Sequence, residues 1–374
     1  MSEILHFIQS TPTKDPLIIG TLLVFSLIVG SFFNVVIHRL SQQMEGVSSK
    51  ELSTTKPAKS FCPNCKKELS WKENIPLISY IIQLGRCTGC KKDISWRYPA
   101  VELTSVIITA SVWNLSPSVG SAILGVFFLD VLLLTAVIDA KTKKIPNKLT
   151  VPGTVILLAA AFIPLAEGSN LAIDQGKTAL IGAVGCFILM WGLAELGKRL
   201  FGKKKVVLKK PQAFLWENGT LKIQDAPEIP VEESEAMSGA DLGFARPSDR
   251  LIIQGDIIQN KAEGMEEKLS EVIISPHESG KIHGSMKTIT FPREAMGMGD
   301  AKLLLFAGAA MGFLPAIHGL VAGTLAALVG VMAMRVYAIA KKGNAPGLIA
   351  FGPWIAIGCA GVWIYNAMCT SCAG

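Results

Sequence analysis

The sequence predicts an all-α polytopic membrane protein with about eight transmembrane helices. Half of the 374 residues are hydrophobic, only 17% are charged and the mean hydropathy is +0.43, whereas soluble domains carry about 25% charged residues. This composition excludes a disordered chain and argues against a single soluble domain. The apolar residues also form runs close to the length that a bilayer requires. The predicted spans cover residues 16–37, 99–115, 119–138, 149–166, 178–195, 301–317, 319–340 and 347–368.

The first run, from Pro16 to Ile37, contains 22 residues without a formal charge. About 20 such residues cross the hydrocarbon core as a helix. A cleaved signal peptide is the alternative, but its apolar core of about 7–15 residues would follow a basic N-terminus. Here the run is longer and the basic stretch comes after it, which favours a retained span.

The distribution of Lys and Arg predicts the orientation of the spans. Of 36 basic residues, the connection 38–98 holds 11, the connection 139–148 holds 4 and the connection 196–294 holds 15. The intervening connections are nearly free of them, so the positive-inside rule places both termini outside. Basic loops can also bind anionic surfaces or nucleic acid, but the strict alternation favours topology. We therefore expect a lipid bilayer as partner and no nucleic acid.

The first cytoplasmic connection contains two Cys-x2-Cys pairs separated by 21 residues. Two such pairs at this spacing are typical of a closed tetrahedral zinc site, which stabilises a fold and does no Lewis-acid chemistry. Four reduced thiols without metal, or two disulfides, are the alternatives, although a cytoplasmic location favours thiols. The predicted zinc ligands are Cys62, Cys65, Cys87 and Cys90.

Two aspartates are predicted at the cytoplasmic ends of separate spans. Asp139 ends the third span, and Asp300 follows Gly297 and Gly299 and opens the sixth. Two carboxylates brought together share a proton, so one can activate water while the other donates to a scissile carbonyl. Each could instead be a helix cap or a partner of a nearby Lys, and the pattern alone does not place them in contact.

Residues 203–288 form a long insert with strand-like patches, for example at 251–258 and 287–291, around an acidic Gly- and Pro-containing middle at 225–247. A small β-rich cytoplasmic subdomain is predicted. This subdomain could recognise substrate or partners, or it could be an insertion that the fold accommodates and that has no role of its own. The predicted organisation is an outer N-terminus with the first helix at 1–37, the cysteine domain at 38–98, helices two to five at 99–202, the insert at 203–288 and helices six to eight at 289–374.

The chain resembles the type IV prepilin peptidase, or leader peptidase, family of polytopic aspartic proteases of the Gly-x-Gly-Asp type. The resemblance covers most of the chain outside about 203–288. Besides the paired cysteines it includes the segments at 30–40, 74–80, 97–102, 139–146, 297–303 and 351–354.

The resemblance implies that Asp139 and Asp300 are the catalytic pair of an aspartic endopeptidase. Its substrates would be type IV prepilins or the pseudopilins of type II secretion, whose basic leader is removed at the cytoplasmic face of the bacterial inner membrane, often at a Gly-Phe junction. It also implies N-methylation of the new terminus by S-adenosylmethionine, with Gly85 and Arg86 in the methyl-transfer region. A peptidase without methyltransferase activity is one alternative, and a proton-coupled transporter is another.

Several further polar residues have structural interpretations. Glu102 could bind a basic group of the substrate or brace the cysteine domain, and bracing is favoured. Asp130 lies about 13.5 Å along the helix from Asp139, so a polar helix contact is expected. Lys302 could tune Asp300 or snorkel. Cys369 and Cys372 could form a disulfide or remain thiols, and the sequence leaves the oligomeric state unknown.

Overall fold

The structure, a computed structural model, consists of two compact units. One comprises Met1–Met190 with Gly299–Gly374, and the other comprises Trp191–Met298. The residues that the structure describes are 6–7, 9–44, 61–62, 64–163, 169–201, 203–217, 220–223, 237–238, 251–260, 266–274, 281–292, 297–341 and 350–373.

Nine α-helices form most of the described chain. Eight of them overlap the eight predicted spans, and the ninth is a single short helix in the cysteine domain. Their bounds are α1 (Pro16–Met44), α2 (Ile78–Ile82), α3 (Arg97–Leu115), α4 (Val119–Thr142), α5 (Asn147–Ala161), α6 (Ser169–Phe201), α7 (Met298–Met311), α8 (Phe313–Ala340) and α9 (Gly352–Ala373).

Four of the described helices are long and apolar enough to cross a membrane by length and composition. They are α1, α4, residues Asp174–Leu200 of α6, and α8. The chain is therefore a multi-pass membrane protein. The predicted residues 164–166 of the fourth span and 347–349 of the eighth lie outside the described residues.

The predicted bounds of the sixth span, 301–317, are wrong. Helix α7 ends at Met311, and Gly312 takes a left-handed φ of 82° before α8 begins at Phe313. Pro315 then lies in the first turn of α8, where its missing N–H is tolerated. A continuous apolar run concealed this break. At 14 residues, α7 is about 21 Å long, which is shorter than the hydrocarbon core.

Helix α1 packs on α3 through a stripe of small and polar residues. Ser26, Gly30 and Asn34 recur every fourth position and are buried, so they share one helix face. A Cβ atom at Gly30 would lie 2.9 Å from Glu102 Cα, and only a glycine permits this approach. Towards the C-terminal end of α1, side chains from α1, α3 and α4 form an apolar cluster of Val36, Ile37, Leu40, Val101, Leu134 and Ile138.

Asp130 makes the polar helix contact expected of it. It is 7% exposed on α4, and Ser105 Oγ of α3 lies 3.4 Å from its Oδ1. Thr109 donates in turn to Ser26 of α1 at 3.0 Å. A buried carboxylate without such donors would be strongly disfavoured, so this network ties three helices together.

The second unit contains an antiparallel sheet within the predicted insert. Its strand order is β3-β2-β1-β6-β4-β5, and one face carries a core that includes Trp216, Ile253 and Ile289. The expected patches lie in β4 and β6, and β6 continues past residue 288. Most of the predicted loop 225–247 lies outside the described residues. The strands are β1 (Lys203–Glu217), β2 (Thr220–Ile223), β3 (Met237–Ser238), β4 (Leu251–Asn260), β5 (Glu266–Ile274) and β6 (Lys281–Pro292).

Candidate active site and metal centre

Asp139 lies in the last turn of α4 and is 4% exposed. The helix ends three residues later because Lys143 takes a left-handed φ of 57°, and its N–H donates to the Asp139 carbonyl oxygen at 2.8 Å. A residue in the left-handed conformation commonly ends an α-helix in this way. Pro146 then precedes α5. The termination therefore fixes the Asp139 side chain at the end of a rigid element.

Asp300 lies in the first turn of α7 and is half-buried. Two contacts fasten this turn to the segment that follows Asp139. A Cβ atom at Gly299 would lie 3.0 Å from Ile145 Cβ, and Lys302 Nζ donates to Asn147 Oδ1 at 2.9 Å. Lys302 thus makes a hydrogen bond that neither sequence interpretation anticipated.

The segments that carry the two carboxylates meet. Gly299, beside Asp300, packs against Ile145, and the charge of Asp139 acts on Asp300. Farther along the same helices, Phe128 of α4 and Phe306 of α7 pack with ring centroids 5.4 Å apart. Since Asp139 ends α4 and Asp300 begins α7, both acids lie at the same end of this helix pair. Two neighbouring carboxylates that share a proton can act as general base and general acid.

A third helix positions Asp139. Gly352, the first residue of α9, donates its backbone N–H to Asp139 Oδ2 at 2.9 Å. N–H groups at a helix N-terminus lack partners within the helix and favour an anion. A Cβ atom at Gly352 would lie 2.7 Å from the same oxygen, which explains the glycine. The family resemblance in the sequence analysis included the segment 351–354 but assigned it no role.

The four predicted cysteines converge into one cluster. Their sulfur atoms all lie within 4.8 Å of one another, with Cys62–Cys90 at 3.9 Å and Cys65–Cys87 at 4.0 Å. A tetrahedral zinc with Zn–S bonds of about 2.3 Å needs sulfurs about 3.8 Å apart. A disulfide needs about 2.05 Å, so these are free thiols. The cluster could hold a metal such as zinc.

The cysteine pairs belong to two matching turns that the sequence reasoning missed. Each reads Cys-x2-Cys-Lys-Lys, at 62–67 and 87–92. In both turns the first Cys N–H donates to the second Lys carbonyl at 2.9 Å, and that Cys carbonyl accepts from the first Lys at 2.9 Å. The Cys-Cys-Lys-Lys repeat, at an offset of 25 residues, could have revealed this symmetry from the sequence.

Backbone N–H groups point at the sulfur atoms. A hydrogen bond from the Cys65 N–H lowers the pKa of Cys62, and bonds from the Lys92 N–H and then the Asn64 amide lower the pKa of Cys90 to about 6. The Lys67 N–H also donates to Cys65, but burial and the neighbouring sulfurs outweigh it and raise that pKa to about 11. Such donors favour the thiolate form that binds metals, and four thiolates require a cation between them.

Glu73 links the two turns. Lys67 donates to its carboxylate at 2.7 Å, and Thr88, between the second cysteine pair, donates to the same oxygen. The Lys67 hydrogen bond, followed by those from Thr88 and Ser70, holds the pKa of Glu73 well below its usual range. Within the cysteine domain, the described residues 61–62 and 64–96 thus form a folded unit.

Glu102 braces the cysteine domain, as the sequence analysis favoured. It is 7% exposed on α3, and its Oε2 accepts the Leu77 N–H at 2.8 Å. Leu77 has a left-handed φ of 55° just before α2. The carboxylate therefore holds a strained turn of the cysteine domain against the helices.

The residues assigned to methyl transfer lie between α2 and the second cysteine pair. Gly85 has a φ of 67°, and a Cβ atom there would lie 3.1 Å from the Tyr80 hydroxyl. Arg86 pairs with Asp93 at 3.3 Å and is largely exposed. Of the remaining cysteines, Cys186 and Cys359 are fully buried and Cys369 is an exposed free thiol near the end of α9.

Two family profiles match the chain in order. The bacterial peptidase A24 N-terminal domain matches residues 24–115, and the type IV leader peptidase family matches residues 126–207. Asp139 lies within the second match, whereas Asp300 lies beyond it, after the inserted sheet. No solved structure matches the chain.

Curated relatives are about one third identical to the chain over the segments that match. A protein from Klebsiella pneumoniae is 34% identical over 210 residues, which is 54% of this chain and 86% of that protein. One from Aeromonas hydrophila is 32% identical over 201 residues, 48% of this chain and 65% of its own length. One from Vibrio cholerae serotype O1 is 35% identical over 186 residues, 49% of this chain and 69% of its own length.

All three relatives are named prepilin leader peptidase/N-methyltransferase. The match to the Klebsiella protein extends over most of that relative's length, and the two family profiles follow one another along this chain. The chain therefore belongs to the type IV leader peptidase family and is an enzyme of that family, a peptidase.

Proposed function

We propose that this protein is an aspartic endopeptidase that removes the leader of type IV prepilins or pseudopilins and then N-methylates the new terminus. The observation that carries the proposal is the contact between the Asp139 and Asp300 segments at one end of α4 and α7. The names of the relatives support the substrate class and the second activity.

The proposed mechanism divides acid and base roles between the two carboxylates. Asp139 receives the Gly352 N–H, which suits a charged group, so it takes a proton from a bound water as general base. Asp300 carries the shared proton and donates it to the scissile carbonyl oxygen. The hydroxide adds to the carbonyl carbon and gives a gem-diol. As the C–N bond breaks, the leaving amine accepts the proton from Asp139, and one gem-diol hydroxyl returns a proton to Asp300.

The proposed setting is a bilayer crossed by eight helices with both termini outside. The four helices that meet the length and composition criteria and the alternation of basic loops support this topology. The pair of acids would then face the cytoplasm at the inner membrane of a bacterium. A pilin precursor held by its apolar helix would present its leader junction at the same depth.

Zinc in the cysteine cluster is proposed to be structural. All four ligand positions would be taken by Cys62, Cys65, Cys87 and Cys90, which leaves no open position for catalysis. The cluster closes the two turns that Glu73 also connects. Metal binding would then fix the cysteine domain against α1 and α3.

Methyl transfer is the proposed second activity, and S-adenosylmethionine supplies an electrophilic methyl group bound to a sulfonium. The neutral N-terminal amine forms the new N–C bond as the S–C bond breaks and its electron pair returns to sulfur. The resulting ammonium then releases a proton. The protein's task is to orient the amine and to exclude water.

The function is tested by incubating a purified precursor that has a Gly-Phe junction with the full-length protein in detergent. Mass spectrometry is expected to show cleavage at that junction. An intact precursor in the presence of folded enzyme would contradict the proposal.

Gly352→Ala is expected to lower kcat for cleavage by roughly 10- to 100-fold with little change in KM. The added methyl group would lie 2.7 Å from Asp139 Oδ2 and must displace the carboxylate, and small displacements of catalytic groups have effects of this size. Gly361→Ala is the matched control in the same helix, because nothing lies within 4 Å of a Cβ atom there. Equal kcat values for both variants would contradict the positioning role of Gly352.

A further inference from the structure

A cavity of about 470 Å³ lies between the cysteine domain and the ends of α1, α3 and α4. This is within the range of about 300–1,000 Å³ that small-molecule and cofactor sites occupy. Its wall includes Cys62 and Cys87 of the metal cluster and Lys141 of α4. Lys141 is two residues from Asp139, so the cavity is next to the site where the peptide bond would be cleaved.

Cationic side chains dominate one side of the cavity. The cations Arg39, Arg97 and Lys141 all line it, together with His38. Acidic residues also line the wall, but Glu102 and Glu73 are held by the hydrogen bonds described above, and Asp93 pairs with Arg86. The cluster of cations favours a ligand with a carboxylate or another anionic group.

Two polar atoms at this wall lack hydrogen-bond partners among the described residues. One is Oδ1 of Asn34, a residue only 3% exposed, and the other is Nε of Arg97. The Asn34 amide is already oriented, because its Nδ2 donates to the Tyr98 carbonyl at 3.0 Å. Buried acceptors and donors in native proteins are normally satisfied. An acceptor and a guanidinium donor in one cavity suit a ligand that has both an ammonium and a carboxylate.

Aromatic side chains complete the wall. Phe61, Tyr80 and Tyr98 line the cavity, and the Arg97 guanidinium lies 5.3 Å from the Tyr98 ring centroid. Aromatic rings bind both a nucleobase, by stacking, and a sulfonium, by cation–π attraction.

We infer that this cavity binds S-adenosylmethionine through its amino-acid end, with Arg97 holding the carboxylate and Asn34 accepting from the ammonium. The inference rests on the proposed methyltransferase function and assigns it a location. It also revises the role of Gly85, which does not line the cavity. A side chain at Gly85 would press on Tyr80, so Gly85 is a positioning residue that keeps this ring in the cavity wall.

The test measures binding of S-adenosylhomocysteine to the zinc-loaded, full-length protein in detergent by isothermal titration calorimetry. Arg97→Gln is expected to weaken binding by roughly 10- to 100-fold, as expected for the loss of a charge-assisted hydrogen bond. Tyr98→Leu provides a second variant, which removes the ring but keeps the backbone carbonyl that holds Asn34. Lys72→Gln is the matched control, since Lys72 is an exposed cation of the same domain outside the cavity. Zinc content verifies that each variant is folded.

Four results would overturn the assignment. Unchanged affinity in both Arg97→Gln and Tyr98→Leu would place the ligand elsewhere. Loss of affinity only in Arg86→Gln would place it at Arg86, which does not line this cavity. Binding of phosphatidylglycerol, without binding of S-adenosylhomocysteine, would make the cavity a lipid headgroup site. If wild-type protein cleaves precursor but binds no S-adenosylhomocysteine, the inference and the methyltransferase function fail together while the peptidase function stands.

Discussion

Asp139→Asn and Asp300→Asn are each expected to reduce leader cleavage by at least about 10³-fold. An Asn side chain keeps the shape of Asp but neither accepts a proton from water nor carries the shared proton. General acid–base groups contribute about 10²- to 10⁴-fold to the rate individually. Removing one member of a catalytic unit lowers the rate about as much as removing all its members. The measurement is the single-turnover rate of precursor cleavage in detergent, followed by mass spectrometry. The double variant is expected to lose little more than either single variant.

Asp130→Asn is the matched control for these substitutions. Asp130 lies on the same helix as Asp139 and is also buried, and an Asn oxygen can still accept the Ser105 hydrogen bond. We expect its cleavage rate to stay within about threefold of wild type, because surrounding interactions are kept. Full cleavage by both Asp139→Asn and Asp300→Asn would eliminate the aspartic mechanism.

Removing the metal is expected to unfold the cysteine domain while leaving the helices intact. The domain has few buried apolar side chains, and Cys62 and Cys87 are among them. Structural zinc sites of this type contribute about 10–16 kcal/mol of apparent binding free energy to folding. Cys65→Ser should therefore reduce zinc from one equivalent to almost none and raise amide hydrogen exchange across residues 61–96. Elemental analysis and exchange mass spectrometry measure the two effects.

Cys65→Ser should also affect the two proposed activities differently. Cys62 and Cys87 line the cavity, so methyl transfer should be lost, whereas the contacts that hold Asp139 come from α4 and α9 and should preserve most cleavage. Cys369→Ser is the control, because this exposed thiol lies near the C-terminal end of α9 and does not belong to the cluster. One equivalent of zinc retained in Cys65→Ser, or none in wild-type protein purified without chelators, would refute the metal site.

Local sequence patterns predicted most of the fold. Apolar runs predicted every long helix approximately, because burial in lipid requires uninterrupted apolar residues whatever the packing. The break at Gly312 was predicted too late in the chain, at residue 318, because glycine and apolar residues are common in membrane helices and no charge marks the boundary. The sheet was predicted only as β-rich, since its order depends on pairings such as β1 with β6, which are remote in sequence.

The candidate site was predictable where one short segment carries the signal. The cysteine spacing predicted a four-sulfur cluster because each pair holds two ligands on one turn. The Gly352 hydrogen bond to Asp139 joins residues 213 positions apart, and no local pattern marks it. The cavity was missed for the same reason, because Asn34 and Arg97 come from different helices and each has an ordinary interpretation as an interfacial residue.

The approach of the two acids can be measured directly by cross-linking Ile145→Cys with Gly299→Cys in zinc-loaded protein. A Cβ atom at Gly299 would lie 3.0 Å from Ile145 Cβ, so a small outward shift reaches the roughly 3.5–4.5 Å of a disulfide. Mild oxidation should give a peptide joined at 145 and 299, whereas Ile145→Cys with Gly361→Cys should give none. Absence of the 145–299 link in folded protein would show that the Asp139 and Asp300 segments do not meet, and would contradict the account.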